Sequence, residues 1–196
     1  MKLFFSPASP FARKCRILIR EKGLGDRIEE VRADPLGGDD ALAAVNPLMQ
    51  VPALIDDDSV AWTDSPLICA RLDALALSPR FIPDGEARWG VLRREVIADG
   101  LMEFGVKIRL ENTRPESERS AKWIARWRAG VLRGIDAAEA GADPAGFDLG
   151  AVASVCALTW LDFRLPDLDW APSHPKLAAL QRTLEARASF RETAPA

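Results

Sequence analysis

The spacing of apolar positions changes halfway along the chain. Residues 2–5, KLFF, form a short apolar run closed by Ser6-Pro7, which predicts a strand. Ser9-Pro10 then marks a helix start, with Ser9 as N-cap and Pro10 at the first helical position. From Phe11 to Lys22, Cys15, Ile17, Leu18 and Ile19 recur among basic residues until Gly23 ends the pattern. IEEVR at 28–32 predicts a second strand, and ADPLGGDD a loop. A short helix over 41–45 is closed by Asn46-Pro47, because the residue before proline avoids helical geometry. In VPALIDDDSVAW, apolar runs at 53–55 and 60–62 flank Asp56-Asp57-Asp58-Ser59, a hairpin with a solvated turn. Thr63-Asp64-Ser65-Pro66 opens a further helix through Ile68, Leu72 and Leu75.

No convincing strand follows. Long helical patterns run from Asp84 to Glu111 and from Glu116 to Ala140, with further helices over 148–164 and 175–187. LALSPRFIPDG at 75–85 carries two prolines and separates the halves. The expected architecture is therefore an α/β domain over 1–77, a linker near 78–83 and an all-α domain over 84–196.

Composition narrows the partners. The 196 residues include 26 Lys plus Arg against 29 Asp plus Glu, a net charge of −3. That balance argues against a general nucleic-acid binder. No apolar run reaches the ~20 residues needed to span a bilayer. The start, MKLFFSPASPFARK, lacks the apolar core of a signal peptide, so a cytoplasmic location is expected. Cys15, Cys69 and Cys156 each sit in an apolar helical pattern and read as buried, reduced small hydrophobes. A single histidine excludes a His-rich metal site, and His174, just before Pro175, reads as a helix-start residue. No metal is expected.

Three places carry candidate chemistry. Ser9 lies at a strand-to-helix turn, where unpartnered N–H groups and the helix dipole favour a negative charge. Its hydroxyl either caps the helix or donates to a bound anion. For a thiolate, such a donor supplies roughly 1.5–3 kcal/mol, enough to lower a thiol pKa by about one to two units. Val51-Pro52 leads directly into a strand, where a cis bond would offer the Val51 N–H and C=O to an extended peptide. An ordinary trans proline is the alternative. Asp64-Ser65 is either a plain N-cap or a pair of groups for an ammonium and a carboxylate. Together the three ask for a small peptide with a thiol, a carboxylate and an amine, which glutathione combines.

The sequence resembles the glutathione transferase superfamily nearly end to end. MKLFFSPASPFARKCRILIREKGL resembles the opening strand and helix of bacterial members. NPLMQVPALIDDD resembles the cis-proline loop and hairpin, and TDSPLICARLD the acidic–serine helix start. IADGLMEFGV, ALTWLDFRLPDLDW and HPKLAALQRTLEARASFRETAP resemble the helical domain. The resemblance implies a thioredoxin-like N-terminal domain, an all-helical C-terminal domain and a homodimer. It implies that Ser9 faces the glutathione sulfur, that Val51 and Pro52 align the cysteinyl part, and that Asp64 and Ser65 hold the γ-glutamyl end. Gln50 replaces a common lysine near the glycine carboxylate, and Met49 replaces a common glycine. Asp148 can cap its helix, but Ala151 removes the usual reciprocal capping-box partner. The implied activity is attack of the glutathione thiolate on a small, largely apolar electrophile. Phe11 beside Ser9 and Met102 on the long helix are candidates to line its pocket, and Met102, on one helical face with Asp99 and Val106, reads alternatively as plain interdomain packing. The alternatives are a non-catalytic dimeric binding protein, or glutathione-dependent isomerisation, dehalogenation or peroxide reduction.

Overall fold

The computed structural model describes residues 1–196, which form two compact units. The first comprises Met1–Pro83 with Arg187–Ala196, and the second Asp84–Ala186. In the first unit the elements are β1 (Lys2–Phe5), α1 (Pro10–Glu21), β2 (Glu29–Arg32), α2 (Asp40–Val45), β3 (Ala53–Ile55), β4 (Ala61–Thr63) and α3 (Ser65–Leu75). The strand order is β2-β1-β3-β4. β1 runs parallel to β2 and antiparallel to β3, and β3 runs antiparallel to β4. Side-chain alternation splits the sheet into two buried faces. Phe4 and Ala53 pack with Ala33, Leu42 and Val45, while Leu3 and Leu54 point the other way and are fully buried. α1 packs against α3.

A buried carboxylate fastens the end of this unit. Asp73 Oδ1 accepts from Lys22 Nζ at 2.8 Å and from the Phe81 N–H at 2.9 Å, and Asp73 Oδ2 accepts from the Ile82 N–H at 2.9 Å. Lys22 Nζ also donates to the Pro79 carbonyl at 2.7 Å. Both ions are buried, and every bond is charge-assisted. The segment that sequence reading treats as a linker is thereby tied to α1 and α3.

Three further features depart from expectation. The last ten residues, expected within the helical half, pack with the first unit. There α8 (Ala188–Arg191) lies on α1: Arg13 donates to the Phe190 carbonyl at 3.1 Å, and Arg187 pairs with Glu21 at 2.7 Å. The hydrogen bond from Arg187 holds the Glu21 carboxyl below the usual range, against its partial burial and with help from Ser189. The hairpin turn is only partly solvated. Asp56 is buried and accepts from Trp62 Nε1 at 2.8 Å and from the Val60 and Asp58 N–H groups, which hold its carboxyl below the usual range. Finally, the pattern from Glu116 breaks into a 3₁₀ turn, Glu116–Glu118, before α5 (Ala121–Ala140) starts at its own cap, Ser120.

The second unit is all-helical, with α4 (Ala87–Thr113), α5, α6 (Leu149–Arg164) and α7 (Pro175–Glu185). α6 is the core helix, buried from Leu149 to Leu158 without interruption. A Cβ on Gly105 of α4 would lie 2.7 Å from the Trp160 ring, so the close approach of α4 to α6 requires glycine there. Asp148 caps α6 through Ala151 N at 2.9 Å and also accepts from Arg94, which supplies a partner for the carboxylate where the capping box has none. His174 does start α7, and its ring has two acceptors, the Trp170 carbonyl at 2.7 Å and Asp136 at 2.9 Å. Only the doubly protonated imidazolium can donate to both.

Burial alone would lower the His174 pKa, but these bonds and the nearby Asp136 and Glu139 charges raise it above the usual value. A raised folded-state pKa gives stability that is fully present below the unfolded value, about 6.5, and lost as pH rises through the folded value. Urea unfolding from pH 6 to 9 is therefore expected to show a fall in stability in wild type that His174→Gln lacks. Parallel profiles for the two proteins would remove this role.

Candidate functional site

Strand register gathers the three candidate features. Phe4 pairs with Ala53 and Ala53 with Thr63, so the end of β1, the start of β3 and the end of β4 share one edge of the sheet. α1 starts just beyond β1, Val51-Pro52 lies just before β3, and α3 starts just after β4. Ser9, Val51, Asp64 and Ser65 therefore lie at the same end of the sheet, together with the N-termini of α1 and α3.

Ser9 is the N-cap of α1, and its Oγ accepts from the Ala12 N–H at 3.2 Å. Capping uses an oxygen lone pair and leaves the hydroxyl proton available to donate. Capping and anion binding are thus compatible, although sequence reading sets them as alternatives. Ser9 N–H also donates to the Ser6 carbonyl at 3.0 Å, which fixes the turn.

The loop before Val51 is organised by a residue that sequence reading did not single out. Buried Asn46 donates from Nδ2 to the Gln50 carbonyl at 2.8 Å, and its Oδ1 accepts from the Leu48 N–H at 3.0 Å. The only sequence signal is its place before Pro47. Met49 has φ 54°, in the left-handed region that favours glycine. The Val51–Pro52 bond is cis, as is Ser78–Pro79. No hydrogen bond within the chain engages the Val51 backbone. Gln50 is exposed and Val51 half-buried.

The start of α3 is not an ordinary cap. Asp64 has φ 71° and makes no side-chain capping bond. Such a backbone costs a non-glycine residue about 1–3 kcal/mol, and strain of this kind clusters at functional sites. Its exposed carboxylate is left to solvent or a ligand. Ser65 Oγ is buried and has no hydrogen-bond partner. An unmatched buried hydroxyl costs about 1–3 kcal/mol. The protein therefore holds two polar groups at this helix start that its own fold does not use.

The remaining candidates do not join this cluster on equal terms. Phe11 is half-buried on the first turn of α1, two residues from Ser9. Met102, in the second unit, is fully buried. A groove at the other end of α1 is lined by Arg20, Glu21, Arg187, Ser189 and Glu192, but ion pairs already link its charges. No group of three or more His, Cys, Asp or Glu residues is arranged to hold a metal ion. No helix is long and apolar enough to cross a membrane.

Known proteins resemble this chain in sequence and fold. Residues 8–75 match the glutathione S-transferase N-terminal domain family. The chain is 32% identical over 201 residues to the GST-like protein YibF of Escherichia coli K12, described as uncharacterized, covering all of this chain and 98% of that one. A glutathione transferase family member from Pseudomonas fluorescens Pf-5, solved with bound glutathione, is 36% identical with a TM-score of 0.93, covering 100% of this chain and 98% of that one. A glutathione S-transferase of Methylobacterium radiotolerans, solved with glutathione sulfonate, is 32% identical with a TM-score of 0.91, covering 99% and 94%. The chain belongs to the glutathione transferase superfamily, with a thioredoxin-like first unit followed by a helical unit.

Proposed function

We propose that this protein is a glutathione transferase that binds glutathione at the Ser9 end of its sheet and activates the thiol. The observation that carries the reading is the start of α3, where Asp64 does not cap its own helix and buried Ser65 Oγ lacks a partner. The γ-glutamyl carboxylate takes the Ser65 hydroxyl and the first N–H groups of α3, and its ammonium takes Asp64. The cysteinyl N–H and C=O pair with the backbone of Val51, set by Pro52, and exposed Gln50 reaches toward the glycine carboxylate. The glutathione sulfur then lies before Ser9. The thiol proton leaves to solvent, and the Ser9 hydroxyl and the dipole of α1 hold the thiolate.

The thiolate attacks an electrophilic carbon of a small apolar substrate. A carbon–sulfur bond forms, and the leaving group departs with its electron pair. Rate comes from a larger thiolate fraction and from holding both reactants together. Phe11, half-buried on the first turn of α1 two residues from Ser9, would line the second-substrate pocket. Cytoplasmic location fits three buried cysteines in the thiol form.

Calorimetric titration tests the site. Ser65→Ala is expected to weaken glutathione binding about tenfold, since a hydrogen bond to a charged group supplies roughly 1.5–3 kcal/mol. Unchanged affinity would remove Ser65 from the site. The neutral side chain of Gln50 favours a second reading, a dimeric binding protein without turnover. Glutathione binding with no conjugation across activated aryl halides, epoxides and enones would select it.

We also propose a homodimer of about 43 kDa, twice the 21.4 kDa chain. Exposed apolar side chains support it: Leu67 on α3, and Trp89 with Val96 at a spacing of seven on α4. Sedimentation at micromolar concentration is expected to give the dimer mass, and a lone 21.4 kDa species would contradict it.

A further inference from the structure

Cys15 and Cys69 come together in the first unit although far apart in sequence. Cys15 lies on the second turn of α1 and Cys69 on the second turn of α3. Their sulfurs are 3.7 Å apart, and both residues have no exposed surface. Cys15 Sγ also lies 3.9 Å from the Ser65 carbonyl, at the start of α3. Cys156, the third free cysteine, is on α6 of the other unit.

We propose that Cys15 and Cys69 form a reversible oxidation site, cross-linked as a disulfide by hydroperoxides. The facing sulfurs need to close from 3.7 Å to about 2.05 Å, a movement that side-chain rotation and small helix shifts can supply. The link would close a loop of more than fifty residues, and long loops gain most from such a constraint. It would also join the two helices that begin at Ser9 and Ser65.

The chemistry balances with a hydroperoxide as the only added reactant. One thiol loses its proton and its sulfur attacks the O–O bond. A sulfur–oxygen bond forms, the O–O bond breaks, and the alkoxide leaves and takes up that proton as an alcohol. The second sulfur then attacks the sulfenic acid. The S–S bond forms, the S–O bond breaks, and hydroxide leaves with the second thiol proton as water. Two thiols and one hydroperoxide become one disulfide, one alcohol and one water.

Burial sets the order of events. Neither thiol meets an oxidant while α1 and α3 are closed, so the first step follows local opening. On reclosure the sulfenic acid returns beside the second thiol. Capture at that range outruns further oxidation to sulfinic acid, which is the irreversible branch. This inference does not depend on glutathione binding.

Intact mass after hydrogen peroxide treatment of the full chain tests it, with the protein then denatured in N-ethylmaleimide. Untreated protein has three free cysteines and takes three adducts. Treated protein is expected to take one adduct, on Cys156, with a mass loss of two hydrogens and a peptide from Cys15 joined to one from Cys69. Dithiothreitol should restore three adducts. The cross-link should be absent from Cys69→Ala. Three adducts after treatment, a linkage through Cys156, or sulfinic acid without a link would each overturn the proposal.

Discussion

Asp73→Ala is expected to lower the unfolding free energy by about 3–5 kcal/mol, the cost of breaking a buried ion pair by removing one partner. Three donors lose their acceptor at once: Lys22 Nζ and the N–H groups of Phe81 and Ile82. Lys22 Nζ keeps only its bond to the Pro79 carbonyl, and the side chain has no exposed surface through which water could replace the carboxylate. Lys22→Met should cost less, because Asp73 would still hold two backbone donors. Combining Lys22→Met with Asp73→Leu removes the stranded charge but not the stranded N–H groups, so recovery should be partial. Urea midpoints at pH 7 give the order directly. A loss below about 1 kcal/mol for Asp73→Ala would mean that the 79–82 segment is held by something else.

Ser9→Ala is expected to lower turnover about tenfold near neutral pH and to move the pH profile of kcat/KM up by about one unit. The donated hydrogen bond supplies roughly 1.5–3 kcal/mol, and each pKa unit corresponds to about 1.4 kcal/mol. In the proposed pose the loss is partial, because backbone N–H groups in the first turn of α1 and its dipole would still act on the sulfur. The same change removes the Ala12 cap and costs about 1 kcal/mol of stability, so activity is compared well below the unfolding transition. Glutathione affinity should change less, since Val51, Asp64 and Ser65 are untouched. Ser6→Ala is the matched control, because the Ser6 carbonyl, not its side chain, receives the Ser9 N–H. If Ser9→Ala keeps the parent profile while Ser6→Ala shifts it, the sulfur faces the wrong hydroxyl in this account.

What could be read from the sequence was local. Ser9-Pro10 marks the start of α1 because cap and first-turn preferences act within a few residues. Val51-Pro52 and Asp64-Ser65 were legible as pieces, and the sheet register brings them to one edge. What stayed hidden depends on contacts between distant segments. Asp73 reads as one acid among several in a helix, and its role appears only when Lys22 and the 79–82 segment fold onto it. Asp56 looks like the first of three solvated turn acids until Trp62 and the backbone close over it. The last ten residues follow a helical half in sequence but pack on α1. Cys15 and Cys69 meet because α1 and α3 pack side by side, which no spacing in the sequence encodes. At Asp64 a plain cap was the simpler reading, and its φ of 71° sets that reading aside.

The central claim is that this end of the sheet binds glutathione and lowers its thiol pKa. Ultraviolet absorbance of the thiolate, followed against pH with glutathione and saturating protein, reads that quantity without any second substrate. The bound thiol is expected to ionise about one to two units below free glutathione in wild type, with roughly half or more of that shift lost in Ser9→Ala. A bound thiol that titrates as free glutathione does in both proteins would contradict the account.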